Sequence, residues 1–288
     1  MVFKIIKLCC LTLEGVAMKP LLRCLRIAEW RGYLGLYLAG SLCGGISSLA
    51  KLGTVLGVCA SFLPFMAATY IANNVGDAEC DALNPRKAPK NPLATGELSR
   101  QAALYALVLT SALGALLTFV LLPQALPTYL AALALSMAYS LPPRLKCRPP
   151  LDVASHALFF GALLLLMGAT AAGVTPDAAS LALAASYSSF LELRNEVEDL
   201  EYDAIGHCAT TAVRLGAHRS ELLTKALGGL SVAIAAFRAR QLPWMLVLAP
   251  AVLAAYLRSD CVERGARAVD AYVAACFVLP ALGVQACA

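Results

Sequence analysis

Charge is scarce in this chain. Only 14% of its 288 residues are Asp, Glu, Lys or Arg, against about 25% in soluble domains, while 60% are hydrophobic and mean hydropathy is +0.72. That balance excludes an ordinary soluble domain and points to a polytopic membrane protein. Histidine is scarce too, with three residues, and the eleven cysteines form no CxxC pair and no His-Cys metal spacing, which argues against a zinc centre. Scattered through apolar segments and basic loops, the cysteines read as small core-filling residues in a reducing compartment. Bases are dispersed over short loops without interleaved aromatics, so no nucleic-acid partner is expected. No linker or soluble module interrupts the chain. Residues 1–288 read as one domain, with 1–25 a loose or interfacial N-terminal segment whose short apolar part and lack of a small-residue cleavage site make a poor signal peptide.

What is abundant is apolar sequence in runs of near-spanning length, about 17 to 25 residues. The expected spans are 32–50, 52–74, 101–122, 125–141, 153–173, 177–197, 220–238, 242–257 and 265–286, an all-α bundle of nine transmembrane helices. With the N-terminus inside, the inner segments are 1–31, 75–100, 142–152, 194–225 and 258–267. Only Lys51, Arg238 and Arg240 then fall outside, leaving 20 of the 23 Lys and Arg on the cytoplasmic side. An integral plasma-membrane protein whose polar loops face the cytoplasm is expected. The small residues around Gly40, Gly44 and Gly45 read as close helix packing.

Acids are concentrated rather than spread. Nine of the 18 lie in two windows: Asp77, Glu79 and Asp81, then Glu192, Glu196, Glu198, Asp199, Glu201 and Asp203. Asn73, Asp77 and Asp81 are spaced by four, so each advances only about 40° around a helix and all three share a face. Asn195, Asp199 and Asp203 repeat the pattern at the end of the sixth apolar run. Both ladders are placed at the cytoplasmic ends of their helices, the second and the sixth. Ionisable groups near membrane depth are costly and usually functional. Without bound cations, these carboxylates are expected to repel one another.

Two clusters of carboxylates with amide oxygens suit hard divalent cations, above all Mg²⁺, whose open positions take phosphate oxygens. Bases follow each ladder: Arg86, Lys87 and Lys90, then Arg214 and Arg219, with Arg144, Lys146 and Arg148 in the loop between the fourth and fifth spans. Acids for metal and bases for phosphate describe a diphosphate site at a membrane face. An apolar bundle behind it suits a ligand with an apolar tail, such as a polyprenyl diphosphate, whose ionisation the metal and bases would promote.

These residues resemble the UbiA-type intramembrane prenyltransferases. NNVGDAECD is similar to that family's first Asp-rich motif, with Asn74 where Asp is more usual. KNPLATGELS resembles the stretch that follows it, NEVEDLEYDAIGHCATTAVRLG the second motif and its tail, and YSLPPRLK the Tyr-containing basic loop. The resemblance runs from about Arg26 to the end. It implies that Asn73, Asp77 and Asp81 bind one Mg²⁺-diphosphate and Asp199 and Asp203 the other, with Lys90, Lys146 and Arg148 on phosphate. Asp77, Asp199 and Lys146 are the expected catalytic residues; Asn195, Tyr139 and, on the acceptor side, Arg26 are expected to contact substrate. The implied activity is transfer of a prenyl group from its diphosphate to a lipophilic acceptor in membrane lipid, foremost an aromatic ring as in quinone biosynthesis, or else a glycerol-phosphate ether.

Plainer readings stand beside these. Glu192, Glu196, Glu198 and Glu201 read as supporting or exposed acids, and Tyr139 and Tyr187 suit interfacial aromatics as well as cavity walls. His156, on an apolar face, reads as a packed, hydrogen-bonded residue. A CDP-alcohol phosphotransferase would want a longer Gly- and Arg-containing acidic signature, which is missing. A transporter of lipid or metal would place its charges nearer the bilayer midplane.

Overall fold

Apolar runs in lipid leave the backbone no hydrogen-bond partner but itself, so they fold as helices. In a computed structural model, which describes residues 18–42, 49–259 and 262–281, all regular structure among the described residues is helical. The helices are α1 (Met18–Cys24), α2 (Arg31–Leu42), α3 (Leu49–Leu83), α4 (Arg100–Leu121), α5 (Leu126–Ser140), α6 (Leu151–Ala171), α7 (Ala178–Ile205), α8 (Thr211–Leu215), α9 (Ala217–Arg238), α10 (Pro243–Arg258) and α11 (Val262–Ala281). Every expected apolar segment carries one of the longer helices. Four stretches are long and apolar enough to cross a membrane by length and composition: Leu56–Leu83 of α3, then α4, α6 and α9.

Two helices outrun their apolar parts. The second expected span stops at residue 74, but α3 continues to Leu83; the sixth stops at 197, but α7 continues to Ile205. Asp77, Asp81, Asp199 and Asp203 therefore all stand on helix, and the four-residue spacing does bring each set onto one face.

α4 turns its large apolar side chains outward, with Val108, Leu116, Phe119 and Val120 all exposed, as a lipid-facing helix requires. Inside, α2 and α6 cross at two glycines. A Cβ on Gly40 would sit 2.0 Å from the Leu165 carbonyl oxygen, and one on Gly168 2.1 Å from that of Tyr37, so no larger residue fits. Gly44 and Gly45 lie outside the described residues. Gly76 plays a similar part nearer the polar end: its Cβ would fall 2.2 Å from the Ser140 carbonyl, which lets the acidic end of α3 lie against the end of α5. Within α6, residues Ala157–Ala162 form a π-helical turn directly after His156.

Two expectations need correction. Of the N-terminal segment expected to be loose or interfacial, residues 1–17 lie outside the described residues, and α1 is docked rather than loose. Pro20 and Cys24 are buried, Arg23 pairs with Glu97, and the Asn74 amide donates to the Cys24 carbonyl at 2.6 Å. The cysteines are not uniformly free thiols. Cys147 and Cys208 form a disulfide, Cα–Cα 4.9 Å, because the loops following α5 and α7 return to the same end of the bundle; among the described residues Cys24, Cys59, Cys80 and Cys276 are free.

Candidate active site

The acidic ends of α3 and α7 meet. The Asn84 amide, just past α3, donates to Asp199 Oδ1 at 3.3 Å, the Arg86 guanidinium donates to the Glu198 carbonyl at 2.9 Å, and the Cys80 thiol donates to the Gly206 carbonyl at 3.5 Å. Between these ends opens a chamber of 310 Å³. Its mouth is lined by Asn73, Asp77, Asn195, Asp199 and Asp203 with Arg26, Lys87, Lys90 and Lys146. Its floor is aromatic: Tyr33, Tyr70, Tyr139, Phe159 and Phe160. The Tyr33 and Phe160 rings stack at 4.0 Å, and Tyr139 lies 5.2 Å from Phe159.

Most of the acids are paired with the protein's own bases, while Asp203 still feels the expected repulsion from Asp199 and Asp77. Asp77, 4% exposed, accepts from Asn73 at 2.9 Å and Arg144 at 3.1 Å, and pairs with Lys146. Asp81 accepts from Arg26 at 2.8 Å and Asn91 at 2.9 Å. Asp199 pairs with Lys87. The protein's own bases supply the cations. Burial works against the charge on Lys146, but Asp77 and Asp203 outweigh it and hold the ammonium above its ordinary range. Asp203, beyond the apolar part of α7, has no ion-pair partner among the described residues. Burial pushes its carboxyl up to about 6, despite the attraction of Lys146 and Lys87.

Two of the bases are delivered by strained backbone. Arg26 (φ 48°) and Arg144 (φ 55°) occupy the left-handed region, which costs a non-glycine residue about 1 kcal/mol or more and is retained mainly at functional sites. The loop bearing Arg144 and Lys146 is further tied to the segment after α7. Cys147 is bonded to Cys208, and the Thr211 hydroxyl donates to Asp152 at 2.7 Å.

Not every expected residue reaches the chamber. Asp81 lies behind its wall, held by Arg26 and Asn91. Arg148 makes no side-chain hydrogen bond or ion pair among the described residues and does not line the chamber; Arg144 of the same loop reaches Asp77 instead. Arg214 and Arg219 are likewise absent from the lining. Lys90 lines the mouth and pairs with Glu29 at 2.9 Å. Tyr187 is no cavity wall, its hydroxyl donating to Asp270 at 2.7 Å. Asn74, where Asp is more usual, faces away from the mouth to anchor α1.

Tyr33, Tyr70, Phe159 and Phe160, not singled out, also line the chamber, and with them His156, Glu192 and Glu196, which were read as a packed histidine and supporting or exposed acids. The four-residue spacing of Ser188, Glu192 and Glu196 on α7, a second series offset by one position from the ladder, was the available signal.

The donor set suits a divalent metal by type, offering hard oxygen ligands on two facing helix ends. Among the described residues no three His, Cys, Asp or Glu side chains are gathered into a closed metal cage. Mg²⁺ does not require one, since it is held by one or two carboxylates plus substrate phosphates and water.

Residues 33–279 match the model of the UbiA prenyltransferase family. The chain is 31% identical over 189 residues to the digeranylgeranylglyceryl phosphate synthase of Pyrococcus abyssi, an alignment covering 65% of each chain and so just under two thirds of that relative. It is 32% identical over 214 residues to the lycopene elongase/hydratase of Haloarcula japonica, covering 70% of this chain and 69% of that one. In fold it resembles a UbiA homolog from Archaeoglobus fulgidus bound to GPP and Mg²⁺, with a TM-score of 0.71 at 23% identity over 92% of this chain and 100% of that one. The apo structure of a UbiA homolog from Aeropyrum pernix K1 gives 0.67 at 19% identity, over 86% and 96%.

Proposed function

The chain belongs to the UbiA prenyltransferase family, and from that premise we propose that it transfers a prenyl group from a prenyl diphosphate to a lipophilic acceptor inside the membrane, with Mg²⁺. The observation that carries this reading is the chamber itself: two acidic helix ends, with Asp77 and Asp199 each paired with a base, above an aromatic floor. Asn73 with Asp77, and Asp199 with Asp203, are the residues that would hold the metal, while Asp81 behind the wall holds Arg26 in place. Bound there, Mg²⁺ neutralises charge building on the departing diphosphate.

The chain's own residues do the rest. Lys146, Arg144, Lys87 and Arg26 exchange carboxylate partners for phosphate oxygens as donor and metal enter, and Lys90 and Arg86 close the rim. The prenyl tail lies along the floor. Tyr33, Tyr70, Tyr139, Phe159 and Phe160 present ring faces to the allylic cation and keep water from it. Nine membrane crossings in a single domain, with the mouth on the cytoplasmic side of the plasma membrane, complete the reading; the 20-to-3 division of basic residues supports that orientation.

For the acceptor, the better reading is a prenylated glyceryl phosphate. Five bases line the chamber, Arg26, Arg86, Lys87, Lys90 and Lys146, and Arg144 reaches Asp77 beside them, enough for a second phosphate beside the diphosphate. One similar protein is named for making such a lipid. An aromatic ring, the first expectation, ranks second, supported by the stacking surface of Tyr33 and Phe160. The test is transfer from labelled geranylgeranyl diphosphate with Mg²⁺ to geranylgeranylglyceryl phosphate, lycopene or 4-hydroxybenzoate. Metal-dependent product is expected with the first. Neither product nor diphosphate release with any of them would end the proposal.

A further inference from the structure

The chamber floor holds an imidazole–carboxylate pair that metal and diphosphate do not account for. His156 on α6 and Glu192 on α7 are 2% and 7% exposed, and His156 Nε2 lies 3.2 Å from Glu192 Oε2. Both line the chamber below the acids of the mouth. Among the described residues Glu192 has no Lys or Arg partner, so His156 is its only ion-pair companion. Its other oxygen accepts from the Tyr139 hydroxyl.

The hydrogen bonds fix which imidazole nitrogen is available. The Ser188 hydroxyl donates to the His156 carbonyl at 2.9 Å, so it has no proton left for the ring. Nδ1, 3.0 Å from Ser188 Oγ and 3.2 Å from the Ser188 carbonyl, must therefore be the donor. In the neutral ring this leaves the lone pair on Nε2, directed at Glu192 and lying 3.4 Å from the Tyr33 hydroxyl. A carboxylate and a lone pair facing each other at 3.2 Å, buried and unpaired with any base, have room for one more proton between them. A purely structural His–Glu contact would have no reason to face the cavity in which an acceptor loses one.

We propose that His156, oriented by Ser188 and backed by Glu192, is the base that takes the acceptor's proton as the new bond to the prenyl carbon forms. This rests on the prenyl-transfer reading above and deepens it. The C1–O bond of the donor breaks, and its electron pair leaves on the diphosphate. An acceptor oxygen supplies the pair for the new C1–O bond, and its proton passes to Nε2. The imidazolium so formed is neutralised by Glu192, so the His156–Glu192 pair goes from one negative charge to none while the departing diphosphate takes up the negative charge of the broken bond. Glu196 stands one turn nearer the mouth. Its Oε1 is buried with no hydrogen-bond partner among the described residues and Oε2 accepts from the Ala212 amide at 2.9 Å, which offers the proton a next stop towards the acids at the rim.

The test uses the full-length protein with Mg²⁺, labelled geranylgeranyl diphosphate and geranylgeranylglyceryl phosphate, counting coupled product, prenyl alcohol and diphosphate separately. His156→Ala and Glu192→Gln should each lower coupling about hundredfold or more, with the ratio of coupled product to prenyl alcohol falling too. Added imidazole should restore coupling in His156→Ala and not in Asp77→Ala, and Glu192→Asp should recover part of what Glu192→Gln loses. Mg²⁺-dependent binding of geranyl thiolodiphosphate checks that each variant is folded; should one fail to bind, the remaining variants are judged by the same ratio. Unchanged coupling, or a parallel fall of coupling and alcohol without imidazole rescue, overturns the proposal. A wild-type protein that releases no diphosphate at all overturns instead the transfer reading beneath it.

Discussion

Lys87, from the loop behind the first acidic helix, pairs with Asp199 on the second. The same loop sends Arg86 to the Glu198 carbonyl, while Arg144 and Lys146 hold Asp77 and Arg26 holds Asp81. Opposite charges drawn from separate segments of the chain bridge the rim of the mouth. Donor binding must therefore exchange ion pairs rather than fill a vacant cage.

Opposite effects on metal and donor are expected for Lys87→Met. Freeing Asp199 from its ammonium should raise affinity for Mg²⁺ alone, whereas loss of a phosphate contact should lower affinity for the diphosphate. Titration calorimetry with Mg²⁺, then with a thiolodiphosphate analogue, reads both. A variant in which both affinities fall, or neither moves, contradicts the exchange.

Asp77→Asn and Asp199→Asn should each cost on the order of a thousandfold or more in transfer, because metal stabilisation of the leaving group supplies several kcal/mol. The amide is the better substitution at position 77. Alanine there would leave the Lys146 ammonium in a largely buried site with no acceptor at all, where Asn still offers an oxygen, and leaving a buried charge unpaired costs about 3–5 kcal/mol in stability. Thermal unfolding should therefore separate Asp77→Ala from Asp77→Asn, while activity should not.

Mg²⁺ affinity should weaken as pH falls through about 6, where Asp203 takes up its proton. The sign comes from its raised value. The folded chain holds this proton more tightly than an unfolded one, so the metal-free fold loses stability as pH rises from the ordinary carboxylate range through 6. Metal binding requires the ionised form and so runs the other way. Asp203→Asn should flatten that part of the affinity profile; an unchanged profile would assign the titration elsewhere.

Reducing Cys147–Cys208, or replacing Cys147 by Ser, should weaken donor binding several-fold and lower the unfolding midpoint. A disulfide of this loop size contributes about 2–4 kcal/mol at most, and this one holds the segment that carries Lys146 beside Asp203. Donor titrations with and without reductant, on wild type and on Lys146→Met, provide the measurement. Equal reductant sensitivity of the two would show that the crosslink does not act through Lys146.

Labelling should find Lys90→Cys and Arg214→Cys protected in sealed cells and Arg240→Cys reactive from outside. The converse pattern would invert the orientation inferred from the basic residues.

The sequence carried the helical class, the apolar segments and the two ladders, because all three are periodic patterns along one chain. It carried Asn73, Asp77, Asn195, Asp199, Asp203, Lys90, Lys146, Tyr139 and Arg26 to the chamber because their spacing or loop put them at one end of the bundle. What escaped it is pairwise. Cys147 and Cys208 are 61 residues apart, and connectivity among eleven cysteines cannot be deduced from their positions. The choice of Arg144 over Arg148 depends on a left-handed residue in a proline-rich loop. Glu192 and His156 lie on different helices, and nothing in either helix alone announces the other.

The wide turn in α6 has one more consequence. A π-turn is an α-helix with a residue inserted for the same rise, so the residues after it are displaced by about 100° in angular phase from those before it. His156 stands on one side of that displacement and Gly168, which receives the Tyr37 backbone, on the other. Deleting a single residue from Ala157–Ala162 would leave hydropathy and length almost unaltered. Yet with Gly168 still seated against α2, His156 would rotate out of the chamber, and with His156 kept, the crossing would open. The site therefore depends on helical phase, which is counted in single residues.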